Sequence, residues 1–92
     1  METVRQQVVI VNKRGLHARA SAKFVEAVSR VPDGNAVRVG KDGNDAAGGS
    51  ILGLMMLGAA KGDTIEIVVT GSAAGTVLGD LVDLVAGGFG EE

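Results

Sequence analysis

The chain has no cysteine, no tryptophan, no tyrosine and a single proline among its 92 residues. Without cysteine there can be no disulfide and no thiolate metal site. With only one histidine beside that lack, a zinc site has too few ligands of the right kind. Aromatic residues make up 2% of the chain, and the formal net charge is -2. A nucleic-acid binder needs a basic excess and stacking side chains, and neither is here. Long apolar runs are also missing. The longest uncharged stretch, Ala46 to Ala60, is short and glycine-rich, whereas a membrane-spanning helix needs about 20 apolar residues. The opening Met1-Glu2-Thr3-Val4-Arg5 has no basic region leading into an apolar segment, so it does not read as a secretory leader. These absences point to a cytoplasmic protein with no membrane insertion. The hydrophobic share of 46% marks a folded chain. Its length allows one core, so residues 1–92 are expected to form a single domain.

Hydrophobic patterning supplies the elements. Val4 to Val11 is rich in β-branched residues and ends at the turn Asn12-Lys13-Arg14-Gly15, a first strand. From about Ala18 to Arg30, Ser21, Phe24, Val25 and Val28 fall at helical spacing. Pro32-Asp33-Gly34-Asn35 closes that helix. Ala36 to Val39 is a short strand, Gly40-Lys41-Asp42-Gly43 a hairpin turn, and Asn44 to Ala47 a weak returning strand. Ser50 then precedes the apolar run Ile51 to Leu57, with Gly58 after it, the signature of a short capped helix. Thr64 to Thr70 alternates with Ile65, Ile67 and Val69 on one face, a clear strand. Thr76 to Ala86 sets Leu78, Leu81, Val82 and Val85 on one stripe, a core-facing helix. Gly87 to Glu92 reads as a loose tail. The order is β-α-β-β-α-β-α, with helices expected over one face of the sheet.

The stretch Gly15-Leu16-His17-Ala18-Arg19 carries the chemistry. It holds the only histidine, in the joint between the first strand and the first helix. Imidazole can be neutral and nucleophilic near pH 7. At a helix start it lies beside unpaired backbone N–H groups and the positive end of the helix dipole, which suit a phosphate. An arginine two residues on adds a fixed charge with a fork of donors. A lone histidine before a helix is otherwise a solvated residue. The short helix from Ile51 is apolar nearly all round, more than a small domain can bury. Part of it should be exposed for a partner, and Met suits an adaptable contact surface. Val69 to Gly75 has some look of a phosphate loop but lacks the lysine and glycine spacing of one.

The pentapeptide around His17, the segment Gly49 to Gly58, and Lys61-Gly62-Asp63 before a strand together closely resemble the HPr family, the histidine-containing phosphocarriers of the bacterial phosphotransferase system. The resemblance covers essentially the whole chain. It implies an α+β open-faced sandwich, a four-stranded antiparallel sheet with three helices on one side. It implies that His17 carries the phosphoryl group at Nδ1, that Arg19 balances its charge, and that Ser50 is the position a regulatory kinase, an HPr kinase/phosphorylase, modifies in some members. It also implies that the first two helices form the docking face around His17, through Ala20, Ile51, Leu52 and Met55. A proline commonly stands where this chain has Ala20, so a looser helix start is expected. The implied partners are enzyme I and an EIIA-type acceptor, to a monomer with no cofactor and no metal. The family's sugar-transport and nitrogen-regulatory branches both remain open, and the chain itself would be a carrier rather than an enzyme. His17 should then be open to a partner and not buried.

Overall fold

The computed structural model describes residues 1–91. Strand β1 is Glu2–Val9, helix α1 Ala18–Ser29, β2 Ala36–Lys41, β3 Asn44–Ala47, α2 Ile51–Met56, β4 Thr64–Gly71 and α3 Ala74–Ala86, followed by a 3₁₀ turn at Gly88–Gly90. The strands form one sheet in the order β1-β4-β2-β3, and every pairing is antiparallel. The last strand in sequence therefore lies between the first and second. Its alternating Ile65, Ile67 and Val69 are all buried, as a central strand with one covered face requires. α3 packs over β1 and β4, and α1 packs beside α2. Phe24 of α1 and Leu81 and Val85 of α3 join the β4 residues in one hydrophobic cluster.

Local chemistry explains most boundaries. β2 continues through Lys41, so the β2–β3 turn is only Asp42-Gly43. Both residues have positive φ, 52° and 85°, the geometry that suits a two-residue hairpin. Ser50 caps α2, its Oγ accepting the Gly53 N–H at 2.9 Å. Gly58 follows at φ 67° and ends the helix in the left-handed region that glycine tolerates.

Two expectations need correction. α3 begins at Ala74, not Thr76, and buries Ala74 and Val77, while Val82 is only partly buried. The reason is remote. Asn35, at the far end of the turn after α1, accepts the Ala73 N–H at 2.9 Å, so the start of α3 takes a hydrogen bond from another part of the chain. The stretch after α3 is not loose through Glu91; Glu92 lies outside the described residues. Phe89 is 1% exposed, and Lys23 Nζ of α1 donates to its carbonyl at 2.7 Å. Gly88 and Gly90, both at positive φ, reverse the chain on either side and turn the ring into the core. In a chain with two aromatic residues, burying this one outweighs the roughly 1–2 kcal/mol cost of its own left-handed backbone.

Candidate functional site

The segment Ile10 to Leu16 positions the candidate site. Ile10 is fully buried. Its N–H donates to Asp63 O at 2.8 Å, and its carbonyl accepts the Gly62 N–H at 2.7 Å. Gly15 sits at φ 65°, with its Cα so close to the chain that an added Cβ would run into the Ala59 carbonyl. That same carbonyl accepts the Leu16 N–H at 2.9 Å. The loop is thus held against the residues that follow α2, and only glycine permits the approach.

His17 is the N-cap of α1, in extended backbone. Its carbonyl accepts the Ser21 N–H at 2.9 Å, closing the first turn. The first turn is thus hydrogen-bonded with Ala20 in place of a proline. Nδ1 accepts the Arg19 N–H at 3.3 Å, a cap supplied by an imidazole in place of the usual hydroxyl or carboxylate. Ala18 and Ala20 belong to the first turn, whose N–H groups have no intrahelical acceptor. Arg19 is exposed, and its guanidinium makes no ion pair among the described residues. It is free to meet an incoming anion.

The other face of the ring holds a residue that sequence reasoning missed. His17 Nε2 lies 2.8 Å from Glu91 Oε2. The second Glu91 oxygen accepts from Asn12 Nδ2 at 3.1 Å, and Asn12 Nδ2 also donates to Gly15 O at 2.8 Å. Flipping the Asn12 amide would set oxygen against oxygen at both partners, so its orientation is settled, and its Oδ1 is left buried without a partner among the described residues. The hydrogen bond from His17 is the main influence holding the Glu91 carboxyl below the usual range, with Asn12 and nearby Lys23 assisting and partial desolvation opposing. An ionised carboxylate only accepts, so Nε2 carries the ring proton. Nδ1, facing the Arg19 N–H, keeps its lone pair. The tautomer is thus determined from both sides of the ring.

These contacts revise the expectation of an open histidine. The His17 side chain is 17% exposed and Glu91 18%. Glu91 is drawn in because Phe89 plugs the core two residues earlier. The signal that could have found it is Gly-Phe-Gly itself, a rare aromatic between two flexible residues.

The remaining candidates divide. Ala20 is fully buried and cannot belong to a docking surface: it faces inward from α1 beside Ser21 and Phe24, where helical spacing allows only a core contact. On α2, Ile51, Leu52 and Met55 are exposed, as is Met56 beside them, while Leu54 alone is fully buried. α2 packs beside α1, and its trailing Ala59 holds Leu16, so this apolar surface and His17 belong to one end of the fold. Ser50 stands at the head of α2, half-buried. Among the described residues no group of three or more His, Asp or Glu side chains could hold a metal ion, and no helix is long and apolar enough to cross a membrane.

Comparison with known proteins agrees with this arrangement. The family described as "PTS HPr component phosphorylation site" matches residues 4–87. Phosphocarrier protein HPr of Neisseria meningitidis is 44% identical over 88 residues, covering 96% of this chain and 97% of that protein. Phosphocarrier protein NPr of Escherichia coli K12 is 36% identical over 90 residues, covering 98% and 99%. The crystal structure of HPr-C-His from Thermoanaerobacter tengcongensis superposes with a TM-score of 0.87 at 36% identity, covering 100% and 99%. With its four antiparallel strands, its three helices and a histidine capping the first of them, this chain belongs to the HPr family of phosphocarrier proteins.

Proposed function

We propose that His17 is the carrier residue and that Nδ1 is the atom phosphorylated. The observation that carries this reading is the Nδ1 lone pair held at the N-terminus of α1, next to the Arg19 N–H. The donor is phospho-enzyme I, charged by phosphoenolpyruvate, and the acceptor is an EIIA-type protein. In the transfer Nδ1 gives up the hydrogen bond from the Arg19 N–H, and its lone pair forms an N–P bond as the donor's own N–P bond breaks. The first-turn N–H groups and the helix dipole seat the phosphoryl oxygens, and the free Arg19 guanidinium supplies the counter-charge. Nothing in this scheme requires a metal or turnover by the chain itself, so the protein acts as a carrier and partner enzymes do the catalysis. Its place is the cytoplasm, where phosphoenolpyruvate is available, and it works as a monomeric single domain.

Docking falls to the exposed apolar side chains Ile51, Leu52, Met55 and Met56, which offer both partners an adaptable surface. Ser50 heads the same helix. A phosphate on its Oγ would place about two negative charges beside that surface and repel an acidic partner, so regulation by a kinase would act through docking. A second reading, in which phosphorylation state signals to nitrogen-regulatory partners, draws on the similarity to the Escherichia coli NPr. Relative labelling rates with the sugar-type and nitrogen-type enzymes I separate the two.

The test is incubation with enzyme I and phosphoenolpyruvate followed by intact mass analysis. One acid-labile phosphoryl group is expected on the wild type, and none on His17→Ala. Full labelling of the alanine variant would remove His17 from the mechanism.

A further inference from the structure

We propose that Glu91 is a positioning residue for the transfer, holding the His17 ring in the nucleophilic tautomer and stabilising the positive charge the ring gains as the N–P bond forms. The proposal rests on His17 being the carrier.

The contact is built from several sides. Glu91 Oε2 is 2.8 Å from Nε2, and both side chains are more than four-fifths covered. Oε1 is anchored by Asn12, which is itself buried and tied to Gly15 in the loop that carries His17. The backbone leading to Glu91 is fixed by the buried Phe89 ring and by Lys23, whose ammonium donates to the Phe89 carbonyl. The Glu91 N–H donates to Gly88 O at 3.0 Å. A carboxylate met by chance at a surface would not bring an anchor for each of its ends.

The chemistry follows from charge. Before transfer the ring is neutral, with the proton on Nε2 and the lone pair on Nδ1. When Nδ1 takes the phosphoryl group it gives up that lone pair, and the ring becomes an imidazolium that keeps its Nε2 proton. The donor's imidazole leaves with the electron pair of the broken N–P bond and is neutral if its other nitrogen carries a proton. Net charge is conserved. One positive charge has moved onto the His17 ring, 2.8 Å from a carboxylate. A charge that develops during the reaction is where a fixed, partly desolvated counter-charge acts most. Glu91 need not accept the proton. The same contact favours the protonated phosphohistidine ring, the form with the better leaving group, over the neutral one. Orienting a histidine through its second nitrogen is a general device of catalytic and metal sites.

Two variants of the full chain divide the two roles. Glu91→Gln keeps an oxygen that can accept from Nε2–H but removes the charge. Glu91→Ala removes both. Ring tautomers of unphosphorylated His17 are read from ¹⁵N chemical shifts, and transfer rates from enzyme I are read by intact mass at short times. The wild type should show the Nε2–H tautomer predominating. Glu91→Gln should keep that tautomer and transfer about 10-fold more slowly, and Glu91→Ala should weaken the tautomer preference, leaving only the Arg19 N–H to hold it, and fall toward 100-fold, the range for loss of an orienting partner. Thermal melts confirm that both variants are folded. An unchanged tautomer ratio in Glu91→Ala, or an unchanged transfer rate in both variants, overturns the proposal. If the wild type takes no label at all, the carrier reading of His17 fails first. Labelling of the wild type with no response to Glu91 removes this proposal alone.

Discussion

Replacing Phe89 by alanine tests whether the last turn is part of the fold or an appendage. Phe89 is 1% exposed and belongs to the main hydrophobic cluster. A buried aromatic side chain removes about 150–250 Å² from water, which at about 25 cal/mol per Å² corresponds to roughly 4–6 kcal/mol. Alanine retains only a small part of that, and measured Phe→Ala losses in cores run about 3–5 kcal/mol. Phe89 sits at the periphery of the core, where the chain can detach and let neighbours close in, so the lower end, about 3 kcal/mol, is expected. The left-handed backbone at φ 58° costs alanine and phenylalanine alike and cancels in the difference. For a domain of this size about 3 kcal/mol lowers the melting temperature by roughly 12–24 °C. The assay is thermal and urea unfolding by circular dichroism, with hydrogen exchange across residues 86–91. Protection there should collapse before the rest of the fold melts, because Glu91 and the Lys23 contact lose their anchor together. A loose tail would change stability by no more than about 0.5 kcal/mol, as an exposed substitution does. A loss that small would refute the packing argument and with it the anchoring of Glu91.

Arg19→Ala should slow phosphoryl transfer by about 10- to 1000-fold without abolishing it, because the first turn of α1 still seats the phosphate; equal forward and reverse rates for variant and wild type would make the arginine a bystander. Leu52→Glu should weaken binding to enzyme I in titration calorimetry while leaving the melting temperature almost unchanged. Leu52 is 68% exposed in the free protein, and the glutamate must be desolvated only in the complex; an unfolded variant would place Leu52 in the core. Stability should also respond to acid through Glu91. Its carboxyl titrates below the ordinary range because His17 donates to it, so the unfolded chain binds the proton more readily. The contribution is therefore complete above the unfolded glutamate pKa, about 4.3, and disappears as pH falls through the lower folded value. The stability difference between wild type and Glu91→Gln, followed by urea unfolding, should shrink across that acidic window; a difference independent of pH there would contradict the assignment.

Much of the site was legible because its parts are neighbours in sequence. His17 and Arg19 lie two residues apart at a strand-to-helix joint, and the cap geometry that aims Nδ1 at the Arg19 N–H is a local backbone property. The same holds for Ser50, whose hydroxyl reaches only to Gly53. Ala20 shows the limit. Its place in the docking face is implied by family resemblance, but a helix turns about 100° per residue, so the residue after an exposed one can be fully buried.

The sequence by itself determined the order and kind of the elements. The period-2 run of Ile65, Ile67 and Val69, the helical spacing through Phe24, and the Asp42-Gly43 turn express backbone preferences that act over a few residues. Only the tertiary structure decided which strands are neighbours, that Asn35 would cap α3, and that Glu91 would meet His17 across 74 positions of chain. Such contacts carry no local periodicity. They form because burying Phe89 and filling the sheet with β4 lower the free energy of the whole core by more than the loop-closure entropy they cost, and that comparison exists only once the packing does.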